Sequence, residues 1–179
     1  MSKQTETAIL GGGCFWCTEA ALKLLKGVER ITPGYSGGEQ SHPSYEAVCS
    51  GATGHIEVVR VEFDPAIISY RQLLLAFFAS HDPTTLDRQG ADVGSQYRSA
   101  VFVQSPQQQQ IAEALIDELT QNQAFGAPLL TRIYPSHPFW PAESYHQDYF
   151  EHHPDQAYCA YVIAPKVAKI RQLFADGLK

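Results

Sequence analysis

Thr7-Ala8-Ile9-Leu10-Gly11-Gly12-Gly13-Cys14-Phe15-Trp16-Cys17-Thr18-Glu19 is an apolar strand, a glycine turn and the start of a helix within thirteen residues. Thr7 to Leu10 has strand character. Thr18 to Lys26 is rich in helix formers and stops at Gly27. Cys14 therefore falls where a helix begins, facing unpaired backbone N–H groups and the positive end of the dipole. Both favour a thiolate, which is the nucleophilic form of cysteine. Phe15 and Trp16 follow directly, as if to wall a small apolar pocket. The alternative reading of Cys14 is a buried small hydrophobe.

Outward from this segment the chain alternates strands and helices, with no repeats and no long linker. Val28 to Tyr35 reads as a strand ending in the turn Ser36-Gly37-Gly38. A polar loop through His42-Pro43 leads to a short helical turn from Tyr45 to Cys49, whose apolar stretch makes Cys49 a core candidate. Ile56 to Phe63 is the clearest strand, with Glu57, Val59, Val61 and Phe63 on one face. Ser69 and Gln72 resemble a capping box opening a helix over Tyr70 to Ser80. A loop rich in Asp, Gly and Thr spans His81 to Ser95. Ala100 to Val103 is a strand. Ser105-Pro106 starts a helix that runs to about Gln121. Leu130 to Tyr134 is a further strand, Ala142 to Phe150 reads as helical, and Val167 to Phe174 as a short amphipathic helix. This order predicts an α+β fold, a two-layer sandwich with helices on one face of a mixed sheet. The split βαβ ferredoxin-like plan is the nearest named arrangement. Gly11-Gly12-Gly13 lacks the spacing of a dinucleotide fingerprint, so no such cofactor is implied.

The 179 residues fit one domain, residues 1–179, and carry a formal charge of −6. Lysine and arginine are scattered, which argues against nucleic acid and anionic membranes as partners. No apolar run approaches the roughly 18 residues of a membrane span. The start, Met1 to Glu6, is polar and lacks the apolar region of a signal peptide, so a cytoplasmic location is expected. Four cysteines in a chain this long do not make a disulfide scaffold. In a cytosolic protein they point instead to catalysis or metal.

Cys14 and Cys17 form a C-x-x-C at a strand-to-helix turn, where redox dithiols are found. Zinc would need more ligands at suitable spacing, and Cys49, Cys159 and His152-His153 do not supply them. Helical residues three apart have Cβ atoms roughly 5–6 Å apart, against about 3.5–4.5 Å in a disulfide. Cys14 and Cys17 could thus close only if Cys14 is a cap outside the helix. Glu57 is the odd residue on an apolar face. If that face is buried its pKa rises and it becomes a proton donor; if the strand begins at Val58 it is solvated. Tyr45, Tyr97 and Asp92 lie in or beside loops, where tyrosine hydroxyls can bind a substrate oxygen, although most loop tyrosines only pack. His55, His81 and His146 read as hydrogen-bonded structural histidines.

At these residues the chain resembles the peptide methionine sulfoxide reductase A family. The blocks are Gly13-Cys14-Phe15-Trp16, Gly34-Tyr35-Ser36-Gly37-Gly38, Pro43-Ser44-Tyr45-Glu46-Ala47-Val48-Cys49, Gly54-His55-Ile56-Glu57-Val58-Val59, His81-Asp82-Pro83-Thr84, Gly94-Ser95-Gln96-Tyr97-Arg98-Ser99 and Tyr145-His146-Gln147. They run in family order from about residue 8 to residue 163. The resemblance implies a ferredoxin-like α+β sandwich with long coil at its ends. It implies reduction of the S epimer of methionine sulfoxide, free or in proteins, with thioredoxin as reductant. Cys14 matches the nucleophile and Glu57 the acid. Tyr45 and Tyr97 match the groups that bond the sulfoxide oxygen, Phe15 and Trp16 the pair that holds the methyl, and Asp92 a residue that orders the site.

The oxygen should end on Cys14 as a sulfenic acid, which a second thiol condenses to a disulfide for thioredoxin to reduce. One departure concerns that second thiol. Many members have glycine where this chain has Cys17, and many have a glycine-rich tail with a further cysteine. Here the tail has only Cys159. Cys159 is the favoured resolving thiol, as a coil residue between Pro154 and Pro165 free to swing to the site. Cys17 is the alternative, and a relay between them is a third arrangement. Two other functional classes compete: a general dithiol–disulfide oxidoreductase, which does not explain Glu57 or the tyrosines, and a redox-inert binding module, which does not explain Cys14.

Overall fold

A computed structural model describes residues 4–179. Met1, the only methionine, lies with the rest of the polar start, Met1 to Lys3, outside the described residues. In chain order the elements are β1 (Glu6–Gly12), α1 (Phe15–Leu22), β2 (Val28–Ser36), α2 (Tyr45–Cys49), β3 (Ile56–Phe63), α3 (Tyr70–Ala79), β4 (Arg88–Gln89), β5 (Asp92–Val93), β6 (Ser99–Phe102), α4 (Pro106–Gln121), β7 (Arg132–Tyr134), β8 (Phe139–Pro141), α5 (Tyr149–His152) and α6 (Ala164–Leu173). The main sheet has the order β7-β6-β1-β3-β2-β8. All its pairs are antiparallel except β6 with β7. It is a mixed sheet layered with helices, as the alternating pattern predicts.

β3 lies at the centre, between β1 and β2. On one of its faces Val59, Val61 and Phe63 are fully buried. They join Leu10 of β1, Leu22 of α1, and Leu73, Leu74 and Phe77 of α3 in the main apolar core. Burying each such side chain is worth about 1.5–3 kcal/mol. Ile56 and Val58 point the other way, into a smaller cluster with Ile9, Ala100 and Phe102, over which Tyr134 and Phe139 pack.

Local signals account for several boundaries. Ser69 and Gln72 form the full capping box on α3, a device worth about 1 kcal/mol. Ser105 caps α4 through the N–H of Gln108, with Pro106 in the first turn. Other boundaries answer to distant partners. α1 begins at Phe15 and ends at Leu22, earlier at both ends than the predicted Thr18 to Lys26. It ends there because Leu24 to Lys26 are taken by the chain terminus: Lys26 N–H bonds Gly177 O, and Lys179 N–H bonds Leu24 O. β8 was not legible in the sequence, being three residues long with a proline. It docks where Gly34 admits it, since a Cβ on Gly34 would lie 2.5 Å from the Trp140 carbonyl oxygen.

Ala142 to Phe150 is not one helix. A 3-10 turn covers Ser144–His146, and α5 starts only at Tyr149. Asp148 between them has φ of 53°, where its N–H reaches Glu19 Oε2 at 3.1 Å. Cys159 does not lie in coil either. It opens a π-helical turn, Cys159–Ile163, that runs directly into α6. Pro165 has no N–H to give Tyr161 and its ring would crowd that carbonyl, so the chain widens by a residue there. Cys49 is exposed rather than core, because α2 turns Val48 inward instead.

Candidate active site

The end of β1 delivers Cys14 through Gly13, whose φ is 90°. A Cβ on Gly13 would lie 2.4 Å from the Gln89 side chain, so the turn requires glycine. Gln89 in turn staples the 82–97 loop by accepting from Asp82 N–H at 2.9 Å and donating to the Asp82 carbonyl. That loop carries Asp92 and Tyr97. Cys14 is the N-cap of α1, with φ −58° and ψ 124°. Its carbonyl accepts from the N–H of Cys17 at 3.1 Å. Because Cys14 is outside the helix, its thiol can meet that of Cys17, and the two hydrogen-bond. All four cysteines are free thiols.

The charge on this pair is distributed differently from expectation. Cys14 is 7% exposed. Burial pushes its thiol well above the ordinary range, reinforced by Cys17 and by the charge of Glu57. The helix terminus alone does not make it a thiolate. The hydrogen bond from Cys14 instead lowers Cys17 to about 7, helped by Lys166 and Tyr158. Near neutrality the pair thus holds one proton between two sulfurs.

Glu57 is 1% exposed, so its strand face is buried as the first of the two alternatives required. Desolvation lifts its pKa to about 8, against the lowering effect of the Phe15 N–H. That N–H donates to Oε1 at 3.1 Å. Oε2 is buried and has no hydrogen-bond partner among the described residues. A carboxyl held neutral with one unused oxygen is a proton donor awaiting an acceptor.

The phenols of Tyr45 and Tyr97 both feel the charge of this group. Burial first, then the charge of Glu57, pushes both phenols up, with Cys49 adding to both and Asp92 and Cys14 to Tyr97, so they stay protonated donors. Tyr97 packs on the Cys14–Cys17 cluster with Cys159 and Trp16. Tyr45 is held by its own N–H to Glu143 Oε2 at 3.0 Å, while Tyr35 donates to Oε1 of the same carboxylate.

Phe15 and Trp16 form an aromatic wall. Phe15 packs against Tyr45 and His146, with centroids 6.4 Å and 5.1 Å away. Trp16 lies flat on Tyr149 at 3.8 Å, and its Nε1 donates to His146 Nδ1 at 3.0 Å. Burial keeps His146 neutral, which leaves that nitrogen able to accept. The break in helix at Asp148 is what places His146 and Tyr149 on Trp16. His146 is thus the hydrogen-bonded structural histidine it reads as, placed on the aromatic wall. His55 and His81 also match that reading: His55 Nδ1 accepts from Gly38 N–H, and His81 is bonded to Phe77 O and Ser99 Oγ.

Asp92 is linked to the aromatic wall through Tyr158, whose ring stands edge-on to Trp16. It accepts from the Tyr158 hydroxyl at 2.6 Å, and that hydroxyl lies 3.7 Å from Cys17 Sγ. Cys159 is fully buried in the cluster that holds both Cys14 and Cys17. The nine predicted residues are therefore brought to one place. Tyr149, Tyr158 and Glu143 were missed, because their part depends on partners more than sixty residues away. Among the described residues no group of three or more His, Cys, Asp or Glu is placed to hold a metal ion.

Opposite titrations predict a bell-shaped pH profile of kcat/KM. Activity should rise as the thiol pair loses a proton near pH 7 and fall as Glu57 loses its own near pH 8. Initial rates with dithiothreitol from pH 5.5 to 9.5 check this. A rate still climbing above pH 9 rejects Glu57 as the acid.

A neutral carboxyl and two hydroxyls around a shared-proton thiol pair define a cysteine-based reductase of an oxygen-bearing substrate. Comparison with known proteins gives the family. The profile for Peptide methionine sulfoxide reductase matches residues 6–177. The peptide methionine sulfoxide reductase MsrA of Ralstonia nicotianae is 57% identical over 178 residues, covering 97% of this chain and 93% of the relative. Reduced Mxr1 from Saccharomyces cerevisiae superposes with a TM-score of 0.79 at 35% identity, covering 87% of this chain and 90% of that one. Mxr1 in complex with Trx2 matches with a TM-score of 0.57 at 25% identity, covering 83% and 89%. The chain belongs to the peptide methionine sulfoxide reductase family.

Proposed function

We propose that this chain reduces the S epimer of methionine sulfoxide, free and in proteins, to methionine, with thioredoxin as reductant. The observation that carries the reading is the unpartnered Glu57 Oε2 beside the thiol pair. It suits a sulfoxide oxygen, which must gain a proton to leave sulfur. Tyr45 and Tyr97 donate to that oxygen as charge develops on it, and Phe15 and Trp16 hold the methyl.

The shared proton moves to Cys17, and Cys14 attacks the sulfoxide sulfur as a thiolate. The oxygen passes to Cys14 with the Glu57 proton, forming a sulfenic acid and releasing methionine. Cys17 then attacks the Cys14 sulfur, water leaves, and a disulfide remains. A dithiol such as thioredoxin reduces it by exchange. Support for thioredoxin comes from Mxr1, a relative solved in complex with Trx2.

Cys17 takes precedence over the expected Cys159 here. Cys159 was preferred for freedom to swing and for its likeness to the tail position where related enzymes keep a resolving cysteine; its burial at the start of a π-helical turn weighs against the first reason. Cys17 is already hydrogen-bonded to Cys14 and is the more acidic thiol, whereas burial raises Cys159. Cys159 is then placed for a second exchange.

Three coarser features complete the reading. The run β1-α1-β2-β3-α3-β6 with sheet order β6-β1-β3-β2 supports the ferredoxin-like plan. One apolar core joining Ala8 to Ile170 supports a single catalytic domain. A cytoplasmic location accords with four free thiols; no helix among the described residues is long and apolar enough to cross a membrane.

The test is a racemic sulfoxide with dithiothreitol, followed by chromatography of the epimers. With the methyl fixed on one wall and the oxygen on three donors, a single hand of sulfur faces Cys14. The S epimer should disappear and methionine accumulate. Equal loss of both epimers contradicts the pocket, and no methionine contradicts the activity.

A further inference from the structure

Tyr158 is half-buried and its hydroxyl sits where three groups of the site converge. It donates to Asp92 Oδ2 at 2.6 Å, lies 3.7 Å from Cys17 Sγ and interacts electrostatically with Cys14. Its ring stands edge-on to Trp16, with centroids 5.9 Å apart. The first half of the reaction has an acid in Glu57. The second half also needs a proton, because the S–O bond of the Cys14 sulfenic acid must break. Glu57 has by then given its own away. The hydroxyl that meets Cys17, in the cluster that also holds Cys14, is that of Tyr158.

We propose that Tyr158 is a catalytic residue of the disulfide-forming step, passing the Cys17 proton to the departing sulfenic oxygen. The inference rests on Cys17 being the first thiol to attack. Cys17 Sγ forms a bond to Cys14 Sγ as the Cys14 S–O bond breaks. The electron pair of that bond leaves with the hydroxyl. The Cys17 S–H proton goes to Tyr158 Oη, and the phenolic proton goes from Oη to the leaving hydroxyl. Water departs and Tyr158 is unchanged. The Cys17 sulfur is oxidised and the Cys14 sulfur reduced, so no outside reductant enters the step. Burial and the neighbouring charges hold the phenol far above its ordinary pKa. It therefore cannot ionise on its own, and a relay, in which it loses one proton as it gains another, is the form left to it. Asp92 fixes the hydroxyl between turnovers.

The test compares two rates in a single turnover without reductant, for wild type and Tyr158→Phe. Methionine formation is read by rapid quench and disulfide closure by loss of titratable thiols. In Tyr158→Phe the ratio of closure to methionine formation should fall on the order of 10²-fold, the low end of positioned proton transfer. A sulfenic acid trapped by a cyclic dione should accumulate, and imidazole buffer, as a small diffusible acid–base, should restore closure in proportion to its concentration. An unchanged ratio overturns the proposal; a variant with merely damaged packing would lower both rates and leave the ratio unchanged. Peptide mapping of the first disulfide in wild type separates the two levels of inference. Cys14–Cys17 with normal closure in Tyr158→Phe removes the tyrosine's role alone, whereas Cys14–Cys159 removes the assignment of Cys17 and the relay with it.

Discussion

Cys14→Ser is expected to abolish sulfoxide reduction, even with excess dithiothreitol. Cys14 alone stands at the cap of α1, where the Glu57 carboxyl and the thiol of Cys17 both act on it, next in sequence to the aromatic wall. Serine keeps the size but not the chemistry. Its hydroxyl does not become a nucleophile at this pH, and no sulfenic acid can form on it. External thiols can replace thioredoxin, and they can replace a resolving cysteine. They cannot replace the atom that takes the oxygen. Methionine formation by quenched single turnover should fall to the level of the buffer. Substantial methionine from Cys14→Ser would sink the nucleophile assignment. Cys17→Ser in the same assay should still form methionine once, which separates the attacking thiol from the resolving one.

Glu57→Gln is expected to slow the reductase step by about 10²–10⁴-fold, the usual worth of a positioned general acid. The amide keeps the shape and an oxygen that can accept the Phe15 N–H at the Oε1 position. What it loses is the acidic proton aimed from Oε2. Because Oε2 has no partner among the described residues, the substitution breaks no hydrogen bond with them there, and the fold should be spared. Single-turnover rates isolate the chemistry from disulfide exchange. A rate within about twofold of wild type would reject the role. The pH profile gives an independent reading. In Glu57→Gln the fall near pH 8 should vanish, and the rise near pH 7 that belongs to the thiol pair should stay.

Much of this molecule is legible in the chain alone. The strand–glycine–cysteine–helix run, the capping box at Ser69, the proline start after Ser105 and the alternation of Ile56 to Phe63 all rest on contacts within a few residues. Such signals survive any fold that forms around them. From them come the α+β layering, the place of Cys14 at a helix start and the oddity of Glu57 on an apolar face. Folding settled what depends on partners far along the chain. Whether Glu57 is neutral hangs on burial, which needs the packed sheet and helices above it. The proton of the thiol pair lies as it does because burial outweighs one helix terminus. The helix expected over Ala142 to Phe150 is broken because Glu19, on α1, takes the N–H of Asp148 and draws the chain out of helical register. That break sets His146 and Tyr149 on Trp16, and the widened turn before Pro165 brings Tyr158 and Cys159 to the thiols. Local preference is worth tenths of a kcal/mol per residue, and a buried hydrogen bond or side chain is worth more. Where the two disagreed, the long-range contact prevailed.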